Sequence, residues 1–262
     1  MEYAVIAIAA FGSAMLTFFS GFGLGTILMP VFALFFPVHT AIALTALVHL
    51  ANNVFKMGLV WKGLDVRIAL RFALPAALMA VVGAILLNYI AQYGELFSYS
   101  LLGRQYEVTP LKLIIAILMT FFAVIEIDKR FDRLTIQPKY LPIGGAISGF
   151  FGGLSGHQGA LRSLFLLRAG LSKEGFIATG IATAITVDIC RLSVYGAAFL
   201  LNPLEAIGSE NSLIMVATAC GAAFAGSFIG SKLLKKITFR TIQLLVGVMI
   251  LIFSMLLGMG VI

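Results

Sequence analysis

The chain has 262 residues, of which 61% are apolar and only 11% charged, with a formal net charge of +7. Soluble domains average roughly half apolar and a quarter charged, and a globule of this size cannot hide the excess from water. Composition therefore excludes a soluble enzyme. The basic residues form no single patch, which excludes a nucleic-acid binder.

The predicted elements are apolar segments at 3–20, 23–36, 39–60, 67–91, 109–127, 141–155, 158–171, 174–200, 212–234 and 240–261. The first follows Met1-Glu2-Tyr3 with no basic leader and is expected to be a membrane helix, not a cleaved signal. Six segments (39–60, 67–91, 109–127, 174–200, 212–234 and 240–261) are long enough for a hydrocarbon core of roughly 30 Å. The pairs 3–20/23–36 and 141–155/158–171 are shorter and interrupted by glycine: Gly21, Gly23 and Gly25, then Gly149, Gly152, Gly153, Gly156 and Gly159. Such runs are expected to break helices, because glycine costs helical stability. Close helix packing is the alternative use of small residues. Cys190 and Cys220 lie in apolar segments without metal or redox spacing and read as packing residues.

The two glycine-broken pairs occupy matching places. Ser20-Gly21 aligns with Ser155-Gly156 at an offset of 135 (155 − 20), and the same offset sets Asn53 on Asp188 and Lys56 on Arg191. The expected fold is an all-α polytopic membrane protein within one transmembrane domain, 1–262. It has two inverted repeats, 1–127 and 141–262, joined by a cytoplasmic linker at 128–140. Each repeat holds a glycine-broken helical hairpin and three transmembrane helices. Lys and Arg concentrate at 61–71, 128–139 and 232–240, which should be cytoplasmic, while 201–211 carries only acids. This places the N-terminus outside. Two full spans per broken pair give the same loop sides; arms of 14 to 18 residues favour the hairpin.

Ionisable groups inside membrane spans are costly and mark pathways. His49, Asn52, Asn53 and Lys56 follow i, i+3, i+4, i+7 spacing on one helical face, and Asp188 and Arg191 decorate the equivalent helix. Arg162 stands one turn beyond the apex Ser155-Gly156-His157-Gln158. An arginine beside glycine-freed backbone amides suits an oxyanion. The expected substrate ligands are Arg162, Ser155, Gly156, His157, Gln158, Ser20, Gly21, Gly23, Asn52 and Asn53. His49, Asp188, Lys56 and Arg191 are expected to couple protons or gate. The alternatives are an Arg162–Asp188 pair, and Lys56 and Arg191 snorkelling to the cytoplasmic interface. No metal site or cofactor is expected, and no GxxxxGK[ST] nucleotide loop occurs.

Phe19-Ser20-Gly21-Phe22-Gly23-Leu24-Gly25 with Pro30, and Gly149 through Gly159, resemble the glycine-rich apices of the sulfite exporter TauE/SafE (TSUP) transporters. The segment spacing extends the likeness over nearly the whole chain. The family's glycine triplet is diluted here to Gly-Phe-Gly-Leu-Gly, and His157-Gln158 interrupts the second apex. The resemblance implies a multi-pass protein of the bacterial inner membrane that carries sulfite, sulfonates such as sulfoacetate, or related anions by alternating access. Its partners would be a small anionic substrate and the lipid bilayer. Two rival readings remain. Gly153-Leu154-Ser155-Gly156, with His49 and Asn53 upstream, matches a rhomboid-like intramembrane serine protease, although no histidine follows His157 to serve as base. A passive anion channel would use the same pathway residues.

Overall fold

Local signals start and stop the long helices where the hydropathy changes. In the computed structural model, residues 1–18, 24–101, 103–128, 130, 136–201, 210–233 and 239–262 are described. Asp65 caps helix α4 (Val66–Ile90), its Oδ1 accepting from the Ile68 amide at 2.9 Å. Thr109 caps α5 (Pro110–Ile127), with Pro110 at the first helical position where a missing N–H costs nothing. The other helices are α1 (Glu2–Leu16), α2 (Leu24–Ala33), α3 (Val38–Val60), α6 (Leu141–Ser155), α7 (Gly159–Leu166), α8 (Lys173–Leu201), α9 (Glu210–Leu233) and α10 (Phe239–Gly258).

Among the described residues, five helices are long and apolar enough to cross a membrane, within 38–63, 66–90, 110–127, 173–196 and 212–232. The chain is an all-α, multi-pass membrane protein. The sixth expected span, 240–261, corresponds to α10, whose described apolar stretch is the shorter Leu244–Gly258. α1 and α6 have 15 residues, α2 has 10 and α7 has 8. At about 1.5 Å per residue, none of these four crosses the roughly 30 Å core as a straight helix.

Leu70, Leu74, Leu78, Val82, Ile85 and Tyr89 form an exposed apolar stripe along α4, as lipid contact requires. The opposite face of α4 packs on α6, and α1 packs on α9. The glycines of α6 make the first contact close. A methyl group at Gly145, Gly149 or Gly153 would overlap the carbonyl oxygen of Phe72, Ala76 or Ala80. The expectation that Gly149, Gly152 and Gly153 interrupt the helix is therefore corrected: α6 continues through them to Ser155. In an apolar solvent, packing at these small residues outweighs their weak helix propensity.

One element has no counterpart in the sequence reading. Between α4 and α5, strands β1 (Phe97–Leu101) and β2 (Arg104–Val108) form an antiparallel hairpin, turning at Gly103 with φ +76°. Tyr99 in β1 donates its hydroxyl to the Met259 carbonyl at 2.6 Å, tying the hairpin to the chain's C-terminal end.

Candidate functional site

The break in the second glycine-rich segment is confined to the turn after α6. Gly156 adopts φ +80°, a left-handed conformation that ends the helix, and α7 restarts at Gly159. This turn aims Arg162 and Ser163 of α7 into a cavity of about 480 Å³ whose other walls come from Thr17 and Phe18 just after α1 and from α2, α3 and α8. His49, Asn53 and Lys56 face it from α3. Arg162 is 6% exposed and Lys56 5%, so both cations are withdrawn from solvent. The Lys56 ammonium sits 5.4 Å from the centroid of the Phe18 ring. No Asp or Glu lines the cavity among the described residues. Gly180 of α8 lies against the guanidinium group, where a Cβ would make ordinary contact with Arg162 Nε at 3.6 Å.

Behind this cavity, α3 and α8 are joined by a buried polar cluster. His49 Nδ1 donates to Asp188 Oδ2 at 2.6 Å, which fixes the imidazole so that Nε2 accepts from Asn53 Nδ2 at 3.3 Å. Arg191 donates to the other carboxylate oxygen through Nη2 at 2.7 Å and Nε at 3.0 Å. Its Nη1 reaches the Gly152 carbonyl at 3.3 Å, and the Tyr195 hydroxyl donates to the carbonyl of Gly153. The snorkelling alternative is thereby overturned for both cations: Arg191 is 1% exposed and bonded inside, and Lys56 faces the cavity. The ion-pair partner of Asp188 on its own helix is Arg191.

The remaining expected ligands are dispersed. Asn52 leaves the face of its neighbours, accepting at Oδ1 from Ser227 of α9 at 2.7 Å. Ser155 donates back to the Phe151 carbonyl at 3.0 Å, inside α6. Neither it nor Gly156 lines the cavity. A Cβ on Gly156 would meet Arg191 Nη1 at 2.9 Å, so the turn is pressed against the ion pair. Gln158 packs over Gly152, and its backbone carbonyl accepts from Ser148 at 3.1 Å. His157 turns away into a second cavity. Its Nδ1 donates to the Ser155 backbone carbonyl at 2.9 Å, not to the Ser155 hydroxyl. The nucleophile and base of a serine protease are thus not assembled. Ser20, Gly21 and Gly23 lie outside the described residues.

Residues 5–257 match the family described as Sulfite exporter TauE/SafE. This chain belongs to the TauE/SafE family. No curated protein and no solved structure matches it. As a TauE/SafE protein the chain is a membrane transporter of a small anion and not an enzyme. A cavity lined by buried cations and, among the described residues, no carboxylate fits that cargo.

Within this TauE/SafE chain, three polar residues escaped the sequence reading. Ser163 has a buried hydroxyl with no hydrogen-bond partner among the described residues. Its place one position after Arg162 was the available signal. Ser227 looked like an ordinary small residue in an apolar helix. Glu126 is 4% exposed in the wall of the second cavity, and an acid inside an 18-residue apolar helix could have flagged it.

Proposed function

We propose that this protein moves sulfite or small sulfonates such as sulfoacetate by alternating access, holding the anion in the cavity between α3, α7 and α8. The observation that carries this reading is that Lys56 and Arg162, buried cations from opposite halves of the chain, share a cavity with no lining carboxylate among the described residues. Two like charges withdrawn from water are costly together, and an entering oxyanion relieves that cost. Arg162 offers a planar fork of N–H donors, Ser163 a hydroxyl donor, Asn53 an amide, and Lys56 a point charge.

In this reading the halves are inverted repeats, 1–127 and 141–262, each with a broken hairpin. Supporting it, α4 packs on α6 as α9 packs on α1, while α3 meets α8 and α5 meets α10. Gly83 abuts the Phe150 carbonyl and Gly230 that of Met15. These carbonyls are 135 positions apart (150 − 15), the offset that aligns Ser155 with Ser20. The hairpins α1/α2 and α6/α7 then enclose a site near mid-membrane, where repeat transporters bind their substrates. The His49–Asp188 contact between α3 and α8 is the gate, parting when access switches sides, while Arg191 keeps Asp188 paired. Positive-inside charge orients the protein in a bacterial inner membrane with its N-terminus outside and 128–139 and 232–240 in the cytoplasm.

The test is flux of labelled sulfite in proteoliposomes. A carrier shows saturable uptake that unlabelled sulfite on the opposite side accelerates, with competition from sulfonates. Uptake without such acceleration indicates a channel. No flux of any anion in folded protein overturns the assignment.

A further inference from the structure

The second cavity, about 270 Å³, lies on the other side of the short helices from the anion cavity. α7 contributes Arg162 and Ser163 to the first cavity and Gly159 and Ala160 to the second; α2 contributes Leu24 to the first and Thr26 to the second. Glu126 of α5 and His157 of the apex line this second space, 4% and 3% exposed.

The His157 tautomer follows from its contacts. A backbone carbonyl can only accept, so the Nδ1 that meets Ser155 O at 2.9 Å carries the hydrogen of the neutral ring. Nε2 therefore presents a lone pair, and it is buried with no hydrogen-bond partner among the described residues. Phe122 stacks on the ring at 5.8 Å between centroids and 3° between planes, holding it in the cavity wall. The cavity also offers the Thr26 hydroxyl. Among the described residues, the charged groups beside it include Arg191 of α8, packed against the adjoining Gly156, and Arg240 of α10, which donates to the Glu126 backbone carbonyl. A buried carboxyl and an imidazole lone pair that line one cavity, with no direct hydrogen bond between them, can exchange a proton through one bridging water.

We propose that Glu126 and His157 form a proton-binding site separate from the anion cavity. A proton from bulk water enters as the Glu126 carboxylic acid and passes through one water in the cavity to His157 Nε2, leaving a carboxylate and an imidazolium; the reverse transfer restores both neutral groups. The charge on His157 acts on the turn that carries α7, and through α7 on Arg162. Coupling of this site to flux rests on the anion reading of the first cavity; the proton site itself does not.

Two measurements separate these claims. Infrared titration of the protein in lipid bilayers should show a carboxylic-acid C=O band whose pH response disappears in Glu126→Gln and shifts along the pH axis in His157→Asn. A pH response identical to wild type in Glu126→Gln overturns the site; should that variant not fold, an unshifted response in His157→Asn does the same. In proteoliposomes, the ratio of sulfite uptake with a pH gradient to uptake at equal pH should exceed one for wild type and fall to one in Glu126→Gln. A ratio kept at the wild-type value overturns the coupling. If wild type moves no anion, the anion reading fails and the infrared titration still decides the proton site.

Discussion

His49 Nδ1 and Asp188 Oδ2 lie 2.6 Å apart across 139 positions of sequence, joining α3 to α8 at the centre of the protein. Because Arg191 shares the same carboxylate, removing its charge strands a buried guanidinium. Asp188→Asn should lower stability by about 3–5 kcal/mol, the usual cost of breaking a buried pair from one side. His49→Gln removes a neutral-capable partner and leaves the Asp188–Arg191 pair intact, so its loss should be smaller. Denaturant unfolding of the detergent-solubilised protein checks the order; equal stability of Asp188→Asn and wild type would show that the pair does not hold the helices.

Ser163 carries a buried hydroxyl without a hydrogen-bond partner among the described residues, an arrangement that costs stability and suits a binding group. Ser163→Ala should therefore leave the empty protein as stable as wild type, or more so. It should weaken sulfite by at least about tenfold, since a hydrogen bond to a charged acceptor contributes roughly 1.5–3 kcal/mol. Thermal unfolding without ligand and the KM for flux measure the two effects separately. Unchanged KM would remove Ser163 from the site.

The glycines of α6 and that of α1 predict opposite outcomes. Gly149→Val would drive a side chain into the Ala76 carbonyl and separate α6 from α4. Monodisperse protein recovered from membranes should drop sharply. Gly12 has nothing within 4 Å of an added methyl, so Gly12→Ala should gain about 0.5–1 kcal/mol from helix propensity alone. Recovery and melting temperature of the two variants check both statements.

Ser155 donates within its own helix, and His157 bonds its backbone, not its hydroxyl. Ser155→Ala should retain transport, and a fluorophosphonate probe should not label the wild-type protein. Stoichiometric labelling of Ser155 would instead reveal an activated nucleophile.

The membrane class and the long helices were legible because apolar length is a strong signal, and rare intramembrane polar groups singled out His49, Asn53, Lys56 and Arg162, though not that they line one cavity. The partners were less so. Sequence offered two basic residues to Asp188, and only the turn at Gly156 decides that Arg191 takes it while Arg162 faces the cavity. Asn52 obeys the same periodicity as His49 and Asn53, yet the approach of α9 turns it to Ser227. Gly149 and Gly153 looked like helix breakers because sequence does not show the carbonyls of α4 packed against them. The hairpin 97–108 was missed because its strands are short and lie between stronger hydropathy signals.

The central claim is that Arg162 and Lys56 hold the anion in one cavity. Sulfite titrated calorimetrically into purified wild type, Arg162→Ala and Lys56→Ala tests it without requiring flux. The account predicts one saturable site in wild type, weakened at least about tenfold in each variant, since a charged hydrogen bond contributes roughly 1.5–3 kcal/mol. Equal affinity in wild type and in folded Arg162→Ala would contradict it.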